Sequence, residues 1–260
     1  MYIPTAIFAS TALAVLALIT GALTLRGTAL AWIFCIVISC SGGLPAFVVL
    51  TAVFILTAAA SRLAGKRADP YNVRRKSGAR DIDRVFCNVG VAALAAGLYW
   101  LTEYRGFMFA YAAVMAESLA DSVASKLGPL ADGRTVDICT FKPVQAGISG
   151  GVSLVGSLAA LAGSMCIGLL WLVSSRCGRG EAALVAAVGF LGCTFDSVLG
   201  SRAQVRYRCT CCGKITERDE HCGAACIKEK GIVWMNNDIV NLLSNIFSFV
   251  LALAVYAVML

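Results

Sequence analysis

The sequence predicts an all-α fold: a polytopic bundle of about eight transmembrane helices, or seven if the second and third merge. Three observations predict it. Hydrophobic residues make up 59% of the 260-residue chain and charged residues only 14%, too apolar for an ordinary soluble domain. The charges cluster, so that Met1–Leu25, Gly27–Ser61 and Ile239–Leu260 carry none, and about 20 such residues cross a bilayer core. Finally, 19 of the 22 Lys and Arg residues fall in alternate connections, the bias that marks cytoplasmic loops. The whole chain, 1–260, reads as one integral-membrane domain.

The first span covers roughly Tyr2 to Leu25. No Lys or Arg precedes Arg26 and the apolar run is long, so it reads as a retained span and not a cleaved signal peptide. The 35 uncharged residues of Gly27–Ser61 exceed one span, and Ser41-Gly42-Gly43-Leu44-Pro45 interrupts them. Gly-Gly before Pro breaks a helix, so span two should end near Cys40 and span three should run from Ala46 to Leu63. The connection Arg62–Arg84 then carries eight basic residues against three Asp.

Span four runs from Val85 to Leu101, with Asn88 near its start, and span five from Phe107 to Lys126. A loop containing Thr140-Phe141-Lys142-Pro143 leads through Gly147, Gly150 and Gly151 into span six, which ends near Ser175. Span seven, Ala182–Leu199, is followed by a charged, Cys-rich loop at about 201–235, and span eight begins at Asn237. In this arrangement the three large loops share the cytoplasmic side, opposite Arg105, Arg176 and Arg179. The net charge of +7 points to anionic lipid head groups at those loops, not to nucleic acid.

Span five holds Ala116-Glu117-Ser118-Leu119-Ala120-Asp121. Residues four apart share a helical face, which puts Glu117, Asp121 and Ser125 in one polar line. Ala116, Ala120 and Ala124 run beside it and leave room for a neighbouring backbone. A carboxylate at mid-membrane costs about 2.5–3.5 kcal/mol, so the pair must face a cavity or the surface. Asn237, Asn241, Ser244 and Ser248, with Asn245 beside them, make a second polar face on span eight.

These groups collect at one boundary, and their chemistry suits phosphate. Mg²⁺ takes one or two carboxylates with phosphate oxygens and water, which Glu117, Asp121, Asp196 and Asp238 could supply. Arg75, Arg80, Arg84, Lys126 and Lys142 could neutralise phosphate, Arg doing so bidentately. Gly147, Gly150 and Gly151 precede a helix whose N-terminal amides could meet an anion. In the Cys-rich loop, Cys209 and Cys212 have zinc-knuckle spacing, and His221, Cys222 or Cys226 could complete four ligands. A cytoplasmic loop is reducing, which disfavours disulfides.

Five blocks stand out: Ser77-Gly78-Ala79-Arg80 with Asn88; Ala120-Asp121-Ser122-Val123-Ala124-Ser125-Lys126-Leu127-Gly128; Thr140-Phe141-Lys142-Pro143-Val144 through Gly147, Gly150 and Gly151; Asp196-Ser197-Val198-Leu199-Gly200 with Gln204; and Asn236-Asn237-Asp238-Ile239-Val240-Asn241. Together they resemble one known integral-membrane family, which includes plant and cyanobacterial phytyl-phosphate kinase and animal transmembrane protein 19. Lys126 and Ala79 stand where the family usually has Glu and Arg. The resemblance implies phosphoryl transfer from a nucleoside triphosphate (CTP or another), carried with Mg²⁺, to an isoprenoid monophosphate. It also implies Asp121, Glu117, Lys142 and Asp196 as catalytic residues, with Arg80, Arg84, Asn88, Lys126, Ser197, Gln204, Asn237 and Asn241 on substrate or phosphate. Two other classes compete: a transporter, whose intramembrane carboxylates would couple ions, and a scaffold, whose polar stripes merely join helices.

Overall fold

A computed structural model describes residues 3–65, 82–130 and 134–259; Arg75, Arg80 and the Ser77–Arg80 block lie outside them. Seven helices follow in order: α1 Ile3–Ile19, α2 Leu25–Gly65, α3 Ile82–Thr102, α4 Gly106–Leu127, α5 Leu154–Ser175, α6 Arg179–Arg202 and α7 Asn237–Met259. Among the described residues, α2 to α7 are long and apolar enough to cross a membrane, and α1 is a shorter apolar helix of 17 residues.

The 41 residues of α2 would make a straight helix of about 60 Å, twice a bilayer core. The helix breaks instead at Gly43, with φ 65° and ψ −153°, a conformation open to glycine and strained for other residues. Pro45 follows and offers no amide to mend the ladder. Leu30, Ala31 and Phe34 of the first arm and Phe54 of the second pack around the same core group of Ala17, Leu23 and Val85, so the arms lie side by side. The Tyr111 hydroxyl pins the break to α4 by donating to the Ala46 carbonyl at 2.7 Å. Among the described residues, counting both arms of α2 separately gives eight apolar helical segments, with the break where the glycine–proline interruption predicts it.

Helix α4 is the axis of the bundle, buried continuously from Met108 to Ala120 and packed against α2, α3, α5, α6 and α7. Small side chains permit this crowding. A Cβ on Gly163 of α5 would lie 3.2 Å from Ala120 Cα, and one on Gly189 of α6 would lie 2.9 Å from the Ala116 carbonyl carbon. The alanine stripe of α4 is therefore the seam at which two helices approach by their backbones.

The two ends of the bundle differ. At one, Tyr104 meets Phe107 and Tyr256 edge-on, with centroids 5.6 and 5.7 Å apart, and caps the core with aromatic rings. At the other, α3 and α7 start together, with Arg84 Nε 3.5 Å from Asp238 Oδ1, and α4, α5 and α6 meet the loops. Both described loops carry strands that an all-α expectation does not include. β1 Val136–Asp137 pairs with β2 Gly151–Val152, and β3 Arg206–Cys209, β4 Ile215–Thr216, β5 Glu220–His221 and β6 Ala224–Lys230 form a sheet in the order β4-β3-β6-β5. Long loops must pair their own backbone groups, and turns at Gly213 (φ 69°) and Gly223 (φ 75°) return the chain to do so.

Candidate functional site

The loop end of α4 opens onto a cleft of about 370 Å³, lined by Asp121, Ser125, Asp196, Ser197, Asn237 and the segment Gly147–Ser153. That volume falls in the range of small-molecule sites. Asp121 and Asp196 bring carboxylates to it from α4 and α6. Glu117, one turn deeper than Asp121, does not line the cleft and is buried.

The buried carboxylates are held by hydroxyls and amides. Ser244 Oγ lies 2.7 Å from Glu117 Oε1 and 3.3 Å from Asp196 Oδ2, and so joins α4, α6 and α7 through one hydroxyl. Ser118 Oγ sits 3.3 Å from Glu117 Oε2 and 3.0 Å from Asn245 Oδ1. Asn245 Nδ2 donates to the Cys87 and Asn241 carbonyls at 3.0 and 2.9 Å. Turned toward the acid, the Asn241 amide donates to Asp196 Oδ2 and to the Asn237 carbonyl, both at 3.1 Å. Asn241, Ser244, Asn245 and Ser248 of the α7 stripe are thus buried, while Asn237 at its start is exposed. Among the described residues no Lys or Arg forms an ion pair with Glu117 or Asp196.

The glycine segment is shaped by close backbone crossing. Gly150, at φ 77°, lies against Ser201, and Gly200 lies against Ser149 and the Gly150 amide; a Cβ at either would collide with main chain. The Gly151 amide is already used, donating to the Ile148 carbonyl at 2.9 Å. Ser153 caps α5, its hydroxyl accepting from the Gly156 amide at 3.1 Å, a contact that usually stabilises a helix by about 1 kcal/mol. Anion-facing amides would therefore have to come from elsewhere in the segment than Gly151.

Other residues singled out in the sequence fall elsewhere. Asn88 and Arg84 line a separate apolar cavity of about 90 Å³ between α1, α2 and α3, with Leu13, Ala14, Ala31, Cys35, Val53 and Phe54. Asp238 is engaged with Arg84 and does not line the cleft, so the four proposed Mg²⁺ carboxylates do not make one ligand set. Among the described residues, no three of those acids gather their oxygens as closely as the Cys/His group does. Lys126 ends α4, where a cation complements the helix dipole. Lys142 stands exposed just past the turn at 138–140, away from the cleft lining. Gln204 is buried with neither side-chain polar atom hydrogen-bonded among the described residues. Cys209, Cys212, His221 and Cys222 come together. Cys226 faces Cys209 across the β3–β6 pair and stays outside that group, which narrows the five candidate ligands to four.

Sequence reasoning missed four contributors. Thr135, Ser149 and Glu217 line the cleft, and Glu217 Oε1 accepts from the Ser149 amide at 2.8 Å. Asp137 lies just behind and accepts from Ser201 Oγ at 2.8 and 2.9 Å, and from the Cys139 and Thr140 amides at 3.1 and 3.0 Å. Burial alone would raise the Asp137 carboxyl, but these donors, Ser201 foremost, outweigh it and hold the group below its usual range. The motif Asp-x-x-Thr at Asp137–Thr140 is a visible Asx-turn signal; the Ser201 partner, 64 residues on, is not.

Comparison with known proteins extends the likeness along the chain. Residues 8–249 match the family model described as integral membrane protein DUF92. Protein PGR of Arabidopsis thaliana is 33% identical over 135 residues, 48% of this chain and 46% of its own length. The uncharacterized membrane protein sll0875 of Synechocystis sp. is 27% identical over 189 residues, 71% of this chain and 73% of its own. Protein VTE6, chloroplastic, of Arabidopsis thaliana is 23% identical over 233 residues, 87% of this chain and 63% of its own. The chain thus spans under half of PGR and under two thirds of VTE6. No solved structure gives a significant match. With 242 of its 260 residues inside the matched range, the chain belongs to the DUF92 integral membrane protein family.

Proposed function

We propose that this protein is a membrane kinase that transfers a phosphoryl group from a nucleoside triphosphate to an isoprenoid monophosphate, giving the diphosphate. The observation that carries the proposal is the cleft at the loop end of α4, where Asp121 and Asp196 face a polar cavity that ends against Gly147–Ser153. Phosphoryl transfer asks a protein for positioning and charge neutralisation rather than for a nucleophile of its own, because the acceptor phosphate attacks directly. The absence of a Ser/His/Asp arrangement in the sequence agrees with that demand, since His221 is the chain's one histidine.

The donor chemistry suits Mg²⁺. Two carboxylates on the cleft lining, Asp121 half-buried and Asp196 buried, with room for phosphate oxygens and water, are the usual protein share of a Mg²⁺–nucleotide site. Asp121 and Asp196 would hold the ion, which when bound neutralises the charge of the phosphates. Ser244 and Asn241 fix the Asp196 carboxylate from behind, and Ser244 with Ser118 fixes Glu117. Ser197 and Asn237, on the same lining, can donate to phosphate oxygens. The apolar cavity between α1, α2 and α3, at about 90 Å³, would receive only part of the prenyl chain, with its phosphate toward Asn88 and Arg84. Asn88 and Asn241, 3.3 Å apart, stand between that cavity and Asp196. The loop-bearing end would face the cytoplasm, where nucleotide is found, in keeping with the basic bias of the loops.

The test is direct. Purified full-length protein is incubated with phytyl or geranylgeranyl monophosphate, Mg²⁺ and each nucleoside triphosphate in turn. Formation of prenyl diphosphate with one of them is expected. No product with any nucleotide, from protein that remains folded, would overturn the proposal.

A further inference from the structure

The Cys-rich loop carries a group that phosphoryl transfer leaves unused. Cys209 ends β3, Cys212 sits in the turn before β4, His221 ends β5 and Cys222 follows it, yet their ligand atoms all lie within 4.8 Å of one another. His221 Nδ1 is 3.4 Å from Cys212 Sγ and 3.1 Å from Cys222 Sγ. Zinc tetrahedra with Zn–S of about 2.3 Å and Zn–N of about 2.0 Å have edges of roughly 3.5–3.8 Å, so the group has the span of an ion's ligand shell. Disulfide pairing would not draw an imidazole into the middle of three thiols.

The backbone supports the same geometry. The Gly213 amide donates to the Cys209 carbonyl at 3.0 Å, and the Cys209 amide donates to the Lys214 carbonyl at 3.0 Å, closing the Cys-x-x-Cys-Gly turn around the first two sulfurs. The second pair enters from a turn in which Cys222 (φ 56°) and Gly223 (φ 75°) are both left-handed. A non-glycine residue in that region is worth a structural explanation, and direction of the Cys222 thiol toward the group supplies one.

We propose that Cys209, Cys212, His221 and Cys222 bind one Zn²⁺ ion, and that this ion staples the sheet module to the lip of the cleft. Four protein ligands leave no open position, so the site is structural and not catalytic. Its mechanical role follows from two residues of the module. Glu217, between the two halves of the ligand set, accepts from the Ser149 amide at 2.8 Å. Arg206 of β3 donates to the Ser149 and Gly200 carbonyls. Both sides of the Ser149 residue are therefore held by the module, and Ser149 and Glu217 line the cleft together. The inference does not depend on which reaction the cleft performs.

Full-length protein purified under reducing conditions should contain about one equivalent of zinc by elemental analysis, one ion per four-ligand site. Replacing the zinc with Co²⁺ should give the ligand-field absorption of a tetrahedral thiolate site. Cys212→Ser and Cys222→Ser should lose the metal, and Cys226→Ser and Cys211→Ser should keep it. Chelation of the wild-type protein should speed amide exchange at 147–151 about tenfold, as local opening is released, with helix α4 unchanged. Folded wild-type protein that neither retains zinc nor takes up Co²⁺ overturns the site. Loss in Cys226→Ser with retention in His221→Ala overturns the ligand set, and unchanged exchange at 147–151 after metal removal overturns the staple. Because wild-type metal content, Co²⁺ spectra and exchange need no variant, a misfolded substitution does not blunt the test.

Discussion

The cleft beside α4 and the cavity between α1, α2 and α3 lie on either side of Asn88, Asn241 and Asp196, but they are built by different means. The cavity is lined by side chains of membrane helices, nearly all apolar, with Ser10, Asn88 and Arg84 its polar members. Helix periodicity and burial suffice to make it. The cleft takes ten of its 24 lining residues from Thr135, Ile138, Gly147–Ser153 and Glu217, outside the helices. Its shape depends on hydrogen bonds that tie the loops to α6 and to each other: Ser201 to Asp137, Ser149 to Glu217 and Arg206 to Ser149. One enclosure is made by the hydrophobic pattern, and the other by polar contacts between segments far apart in the chain.

That contrast can be broken first at its most polar point. Asp121→Asn keeps size and hydrogen bonding but removes the charge facing the cleft. Prenyl-phosphate kinase turnover should fall by about three orders of magnitude, the upper range for loss of one electrostatic contact in a reaction centre, with normal insertion and yield. A packing residue would behave oppositely, since a neutral Asn is the cheaper group in a membrane. Wild-type turnover across a Mg²⁺ titration would remove Asp121 from the site.

A smaller effect is expected where the loop crosses α6. Gly150→Ala places a Cβ against the Ser201 backbone at a positive φ. Overpacking and strain together should cost about 1–3 kcal/mol, read as a lower apparent melting temperature in detergent. Gly180→Ala, with open space around it, should leave that temperature within experimental scatter; an equal drop in both would show that Gly150 is not a special contact.

The smallest effect should come from the apolar side. Ala14→Phe fills the cavity and leaves the cleft untouched, so it should raise KM for a long-chain prenyl phosphate about tenfold while kcat and the KM for nucleotide stay unchanged. A fall in kcat with unchanged KM would place the chain elsewhere and join the two enclosures into one site.

The same division explains what the sequence made legible. The two faces of charge and amide, Glu117–Asp121–Ser125 and Asn237–Asn241–Ser244, follow from a period of 3.6; the structure buries Glu117, Asn241 and Ser244 and sets Asp121, Ser125 and Asn237 on the cleft. The break at Gly43 follows from glycine and proline chemistry alone. Ser149 with Glu217, and the tie of Asp137 to Ser201, were not legible, because each depends on a partner more than sixty residues away; Thr135 sits in no periodic pattern. Asp238 and Arg84 were legible as polar groups, but their mutual pairing depends on where α3 and α7 start relative to one another. In the Cys-rich loop β4 and β5 are two residues long, too short for alternation to announce them, and the seven residues of β6 do not alternate in burial beyond their first half.

Ser244, which binds Glu117, lies 127 residues downstream of it. At about 5–20 residues per second, synthesis takes roughly 6–25 s to make up that distance. For that interval α4 has entered the membrane with its acid lacking the partner that will receive it. The helix must wait beside the insertion machinery or against α2 and α3, with lipid kept from its polar face until α7 arrives. The order of synthesis thus makes the last helix the one that releases the central one.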